Sequence, residues 1–145
     1  MIVIGSDHAG FSLKEEIRKH LDNHNLAYID VGVFDACASD YPAQAALACE
    51  KITGGECKLG VLCCGTGIGI SMAANKIKGI RAAACSDYFS AKYTRVHNDA
   101  NVLCLGSRVI GPGLACELVD VFLSSDFEGG RHQKRVDMIS ALENQ

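Results

Sequence analysis

The stretch GVLCCGTGIGIS, Gly60 to Ser71, carries an apolar run through two adjacent cysteines into a loop with glycine at every second position. An uninterrupted apolar run bounded by glycines reads as a strand buried on both faces, the form strands take in a parallel sheet covered by helices. The residues that follow, through Ala73, Ala74 and Asn75, read as a helix. Short β-rich runs recur at Ile2 to Gly5, Ala27 to Val31, Leu59 to Cys64, Ile80 to Cys85 and Val102 to Leu105. Helical periodicity lies between them, starting near Phe11, Pro42, Ile68, Tyr88 and Gly113, with a sixth helix from about Arg131. The alternation predicts a three-layer α/β fold of about five strands.

Within this frame the helix from Phe11 places Phe11, Leu13, Ile17 and Leu21 on its apolar side, and Ser12 with Glu15 has the spacing of a capping box. His20 and His24 fall on its polar side and are expected to be solvated. The last helix, set off by Gly129 and Gly130, offers Val136, Ile139 and Leu142 as its apolar stripe. Ligands of open parallel sheets bind beyond the carboxyl ends of the strands. The residues expected there are Ser6, Asp7 and His8, then Asp40 and Tyr41, Cys64 to Gly69, Ser86 and Asp87, and Ser107 and Arg108.

The glycine loop opens a helix, so several backbone N–H groups face outward and favour negative charge. Its G-x-G-x-G spacing departs from the dinucleotide fingerprint, and no Gly-Lys-Ser/Thr follows to make a nucleotide P-loop. A phosphatase loop built on this cysteine would require arginine at position 70, which is Ile70. Two readings remain. The thiol beside these donors can act as a base toward a proton next to a carbonyl, with the donors holding the enediolate oxygen. Alternatively the loop is a tight turn and both cysteines fill space. Successive strand residues face opposite sides, so only one thiol can serve the loop; Cys64 is assigned to it and Cys63 to the core.

The segment GGRHQKRVDMI places Arg131 and Arg135 on one helix face. Cations in a first helical turn oppose the helix dipole, which suggests a bound phosphate, although a solvated basic turn reads equally from the sequence. Arg108, after the last strand, could join them. Asp7 and His8 follow the first strand, where an aspartate can either act chemically or shape the turn. A helix after the fourth strand ends at the sheet edge opposite Cys64, so His97 in VHNDAN could meet Cys64 only from a neighbouring subunit of a symmetric dimer.

Composition narrows the classes. At 145 residues the chain is expected to form a single domain, 1–145, with its C-terminal helix at about 131–143. A net charge of −3, spread along the chain, argues against nucleic acid or a membrane as partner. No apolar run is long enough to span a bilayer and no signal-peptide layout is seen before the first strand, so a cytoplasmic protein is the expectation. The eight cysteines form no C-x-x-C pair, so no metal site and no thioredoxin-like redox centre is expected, and most of the thiols should be small buried hydrophobes.

The motifs GSDHAGF, SDYP, CGTGIGISMAANK, GIRAA, HNDAN, LGSRVIG and FEGGRHQKRV occur in this order across almost the whole chain. In these the sequence resembles the family that takes in ribose-5-phosphate isomerase B and the galactose-6-phosphate and allose-6-phosphate isomerases. The resemblance implies a Rossmann-like α/β/α sandwich and a metal-independent, cofactor-free aldose–ketose isomerase. It also implies a homodimer or homotetramer with active sites shared between subunits. One subgroup uses a cysteine base and another a glutamate in the glycine loop; with Cys64 present and Ile70 at the glutamate position, this chain resembles the cysteine subgroup. By the same resemblance Thr66 would assist proton movement, and backbone N–H groups from Gly65 through Gly67 and Gly69 to Ser71 would hold the enediolate. His97 and Asp7 would open the furanose, and Tyr41 and Asn98 would position the sugar. His8, Arg108, Arg131 and Arg135 would hold the phosphate. HNDAN favours D-ribose 5-phosphate and D-ribulose 5-phosphate as substrates over the hexose phosphates. A non-catalytic sugar-phosphate sensor is the reading outside the enzyme class.

Overall fold

The computed structural model describes residues 1–145. Five strands, β1 Ile2–Ser6, β2 Tyr28–Asp30, β3 Leu59–Cys64, β4 Ala82–Ala84 and β5 Val102–Gly106, form one parallel sheet in the order β2-β1-β3-β5-β4. Six helices cover it: α1 Phe11–Asn23, α2 Tyr41–Thr53, α3 Ile68–Ala74, α4 Tyr88–Val96, α5 Pro112–Ser124 and α6 Arg131–Ala141. The expected three layers are present. The strand predicted over Ile80 to Cys85 is shorter, because Arg81 leaves the ladder to take Asn101 Oδ1 at 2.8 Å.

Side-chain alternation along the strands divides the core. Ile4, Val61, Cys63, Leu103 and Leu105 pack with Leu13, Ile17 and Leu21 of α1 and with Leu118 and Phe122 of α5. On the other face Val3, Leu62, Cys64 and Cys104 pack with Ala45, Ala48 and Cys49 of α2 and Ile70 and Ala74 of α3. Each fully buried Leu, Ile or Phe here contributes about 1.5–3 kcal/mol by leaving water. Of the cysteines, six are buried, Cys116 is half-buried and Cys37 is exposed.

Three local expectations are corrected. The capping box does not form: α1 starts after Gly10, whose N–H donates to Asp7 Oδ1 at 2.9 Å, while Glu15 pairs with Lys14 and Arg18. His20 is not merely solvated, since its Nε2 lies 2.7 Å from Asp120 Oδ1 on α5. In α6 only Val136 of the stripe is buried; Ile139 and Leu142 are exposed, and His132 takes the inward position instead. The sequence pattern also gave no sign of Lys14, which is 1% exposed and held by Asp30 at 2.7 and 2.9 Å.

The start of α1 is fixed by a close approach. A Cβ on Gly10 would stand 2.3 Å from the Cys63 carbonyl oxygen, a backbone atom that cannot rotate away. Gly10→Ala should therefore destabilise the protein by about 3 kcal/mol. Thermal unfolding should register this as a drop of about 10 °C. A melting temperature unchanged to within about 2 °C would show that α1 can slide without cost.

Candidate active site

The strand order reverses at β1, with β2 on one side and β3 on the other, and ligands of such sheets bind in the crevice at the reversal. A cavity of about 930 Å³ lies there, lined from β1 by Asp7 and His8, from β3 by Cys64, Gly65, Thr66 and Gly69, from α2 by Tyr41, and by Arg108 after β5. Ser39 and Asp40 complete its rim. Ser86 and Asp87, also expected at this edge, are not part of it: Asp87 caps α4 by accepting the Ser90 N–H at 2.7 Å.

Cys64 is 4% exposed, and its Sγ accepts the Gly67 N–H at 3.1 Å. The loop closes on its own cysteine because Gly67 adopts φ +77° and a Cβ there would meet the Leu105 carbonyl carbon at 2.9 Å. Cys63, one residue earlier, faces α1 and α5; burial pushes its thiol far above the usual range, so it stays protonated. The two thiols are on opposite faces and cannot form a redox pair across the loop.

Not every loop donor is free. Gly67 N–H is spent on Cys64, Ile68 N–H donates to Thr66 Oγ1 at 3.2 Å, and Ser71 N–H donates to Gly67 O at 3.3 Å. Ser71 is buried with its hydroxyl on Ile68 O, so it serves the helix start rather than the cavity. The Thr66 hydroxyl keeps its own proton to donate. Tyr41 lies across the loop, its ring Cζ 2.8 Å from where a Gly69 Cβ would be, and the Arg108 guanidinium lies 3.0 Å from the same point on Gly65. The Arg108 backbone is anchored as its N–H donates to Gly65 O at 3.0 Å. Asp7 is 5% exposed and accepts the Gly10 N–H with one oxygen while lining the cavity. His8 is tied to the rim, with Ser39 Oγ accepting its backbone N–H at 2.9 Å and its Nδ1 lying 3.1 Å from Ser39 O.

The remaining predicted residues form a second group. His97 ends α4 and packs against the start of α6, where its ring stacks on His132 with centroids 4.2 Å apart and planes 15° from parallel. The Tyr93 ring is tilted against it by 51°, with centroids 4.7 Å apart. Glu128 Oε2 is 3.9 Å from Nε2 of both histidines, and Arg131 Nε–H donates to His132 Nε2 at 3.4 Å. Arg131 and Arg135 are exposed on α6. Asn98 lines a separate hollow of about 590 Å³ with Arg81, Thr94 and Ile139. Within one chain Arg108 therefore does not join Arg131 and Arg135, and none of this second group lines the cavity of Cys64. Sequence reasoning missed His132 and Glu128; Glu128 lies in the loop before Gly129 and His132 in the first turn of α6, and only the fold brings them together.

Close relatives and solved structures that superpose over the whole chain are isomerases, and they place the protein in that enzyme class. The chain belongs to the Ribose/Galactose Isomerase family, whose model matches residues 2–139. It is 50% identical over 142 residues to ribose-5-phosphate isomerase B of Escherichia coli, covering 98% of this chain and 95% of that one. The structure of Clostridium thermocellum ribose-5-phosphate isomerase B superposes with a TM-score of 0.97 at 47% identity, covering 99% of this chain and 97% of that one. Ribose-5-phosphate isomerase B from Mycoplasma genitalium, solved with bound ribulose-5-phosphate, superposes with a TM-score of 0.93 at 42% identity, covering 99% and 96%. No helix is long and apolar enough to cross a membrane.

Proposed function

We propose that the whole chain works as one isomerase domain that interconverts D-ribose 5-phosphate and D-ribulose 5-phosphate in the cytoplasm, with Cys64 as the base. The observation that carries the reading is the Cys64 sulfur at the cavity wall, accepting the Gly67 N–H at 3.1 Å. The relatives' names and the ribulose-5-phosphate found in one of them support the pentose as substrate.

In the forward direction the Cys64 thiolate removes the proton from C2 of the open aldehyde, and the C–H electrons form the C1=C2 double bond of an enediolate. Thr66 moves protons between the two sugar oxygens, and the loop N–H groups not already engaged stabilise the negative charge. Returning the proton to C1 gives the ketose and restores the thiolate. A proton beside a carbonyl is acidic enough for side chains to carry the transfer, so the mechanism calls on no cofactor.

Asp7 and His97 open the furanose, Tyr41 and Asn98 position the sugar, and His8, Arg108, Arg131 and Arg135 hold the phosphate. The separation of the two groups in one chain supports a homodimer or homotetramer in which the α4–α6 group of one copy faces the Cys64 cavity of another. Arg131→Ala should raise KM by about 10–100-fold with a much smaller change in kcat, since it removes a charged hydrogen bond made in ground and transition states alike. An unchanged KM would remove Arg131 from the site.

The reading is tested by assaying metal-stripped protein on ribose 5-phosphate, allose 6-phosphate and galactose 6-phosphate. The pentose should be converted fastest. Faster conversion of a hexose would move the assignment to the hexose branch, and turnover of none would favour the sensor.

A further inference from the structure

The group around His97 contains two side chains to which the isomerase reading gives no role. His132 is 5% exposed at the first turn of α6, although a histidine beside two arginines would ordinarily be left in water. Its ring is stacked on His97 and its Nε2 takes the Arg131 Nε–H. Arginine can only donate, so in this contact His132 Nε2 accepts, the arrangement of a neutral ring with its proton on Nδ1. Burial lowers the His132 pKa below the ordinary histidine value, and His97, Arg131 and Arg135 act in the same direction against the opposing effect of Glu128.

The three donors lie within 4.8 Å of one another, a spacing that also suits a metal ion. The Arg131 contact argues against that use, because it occupies the lone pair a metal would need and sets a fixed positive charge beside it. A neutral flat ring pressed on His97 is better suited to holding it. His97 is the fourth-residue successor of Tyr93, itself four after Phe89, and the Phe89–Tyr93 and Tyr93–His97 centroids are 4.4 and 4.7 Å apart. The His97 imidazole thus touches two aromatic rings, Tyr93 at a tilt and His132 in a stack, and Glu128 is the only carboxylate within 4 Å of its Nε2.

The geometry points to His132 and Glu128 as positioning residues for His97: His132 holds the plane of the imidazole through the stack, and Glu128 sets a negative charge 3.9 Å from its Nε2. This rests on the proposed role of His97 in opening the furanose. It predicts a defect confined to ring opening, because neither residue lines the Cys64 cavity.

The substrates separate that step. Ribulose 5-phosphate has its O5 esterified and cannot close a furanose ring, whereas ribose 5-phosphate is predominantly cyclic. An enzyme that has lost ring opening must wait for spontaneous opening in water, so its consumption of ribose 5-phosphate stops rising as enzyme is added. His132→Ala and Glu128→Gln should show this levelling, with ribose 5-phosphate turnover at high enzyme about 10–100-fold below wild type. Consumption of ribulose 5-phosphate should stay proportional to enzyme with KM unchanged. His132→Phe, which restores a flat ring to the stack, should recover most of the loss.

Glu128 is exposed, so Glu128→Gln tests the inference even where a change at the buried His132 disturbs folding. A rise in KM for both sugars without levelling would mean that His132 only anchors Arg131, and would overturn the inference. The same outcome follows if both variants match wild type while His97→Asn levels off. If His97→Asn itself fails to level off, the ring-opening reading falls and takes the inference with it.

Discussion

Cys64→Ala should lose about 10³-fold in turnover in both directions, because one base serves both proton transfers and a positioned base is worth about 10²–10⁴-fold. Replacing the small, buried sulfur leaves only a small gap, so the variant should fold and keep its affinity for sugar phosphate. Steady-state rates with each sugar, together with a binding isotherm, check this. Full activity in Cys64→Ala would put the base elsewhere, and Asp7, His8 and Asp40 are the other acids and bases that line the cavity. Cys63→Ala is the control. Its thiol faces the opposite core and is kept protonated by burial, so its loss should change stability and leave kcat alone.

His97→Asn should produce the second large effect, of a different kind. Turnover of ribose 5-phosphate should level off with added enzyme at about a hundredfold or more below wild type, the size of a lost acid or base at the ring oxygen. Ribulose 5-phosphate should still be consumed in proportion to enzyme, since Cys64 and its loop are untouched. Enzyme-concentration series run from each sugar measure the contrast. Proportional rates from both would show that the ring opens without His97.

The parts legible in the sequence were those set by side-chain alternation and by backbone demands. The apolar run into Cys64 identified a doubly buried strand, and the period of two separated Cys63 from Cys64 before any coordinate did. The strand order was not legible, because a hydrophobic pattern encodes which face is buried and not which strand lies alongside. The capping box failed for a related reason. Ser12 and Glu15 have the right spacing, but the fit of Gly10 against the Cys63 carbonyl starts the helix earlier. Lys14 was illegible because its burial depends on Asp30, a partner sixteen residues away on β2. In the site, Cys64, Asp7, Tyr41 and Arg108 were readable as residues after strands or at the start of α2. His132 was not, since it stands among arginines that drew the reading to themselves, and only packing shows that it turns inward.

The glycine loop is wedged from two sides, by Gly10 under the Cys63 carbonyl and by Gly67 against β5. Loops that swing aside to admit a substrate do so in microseconds to milliseconds, and their opening often limits turnover. Any swing of this one would have to break the packing of Gly67 against the backbone of β5. Traffic into the cavity then depends on the side chains at its mouth, Tyr41 and Arg108, which turn on the picosecond-to-nanosecond scale of exposed rotamers. In the mechanism proposed above, a thiol held this way stays aimed, and the sugar rather than the backbone does the adjusting.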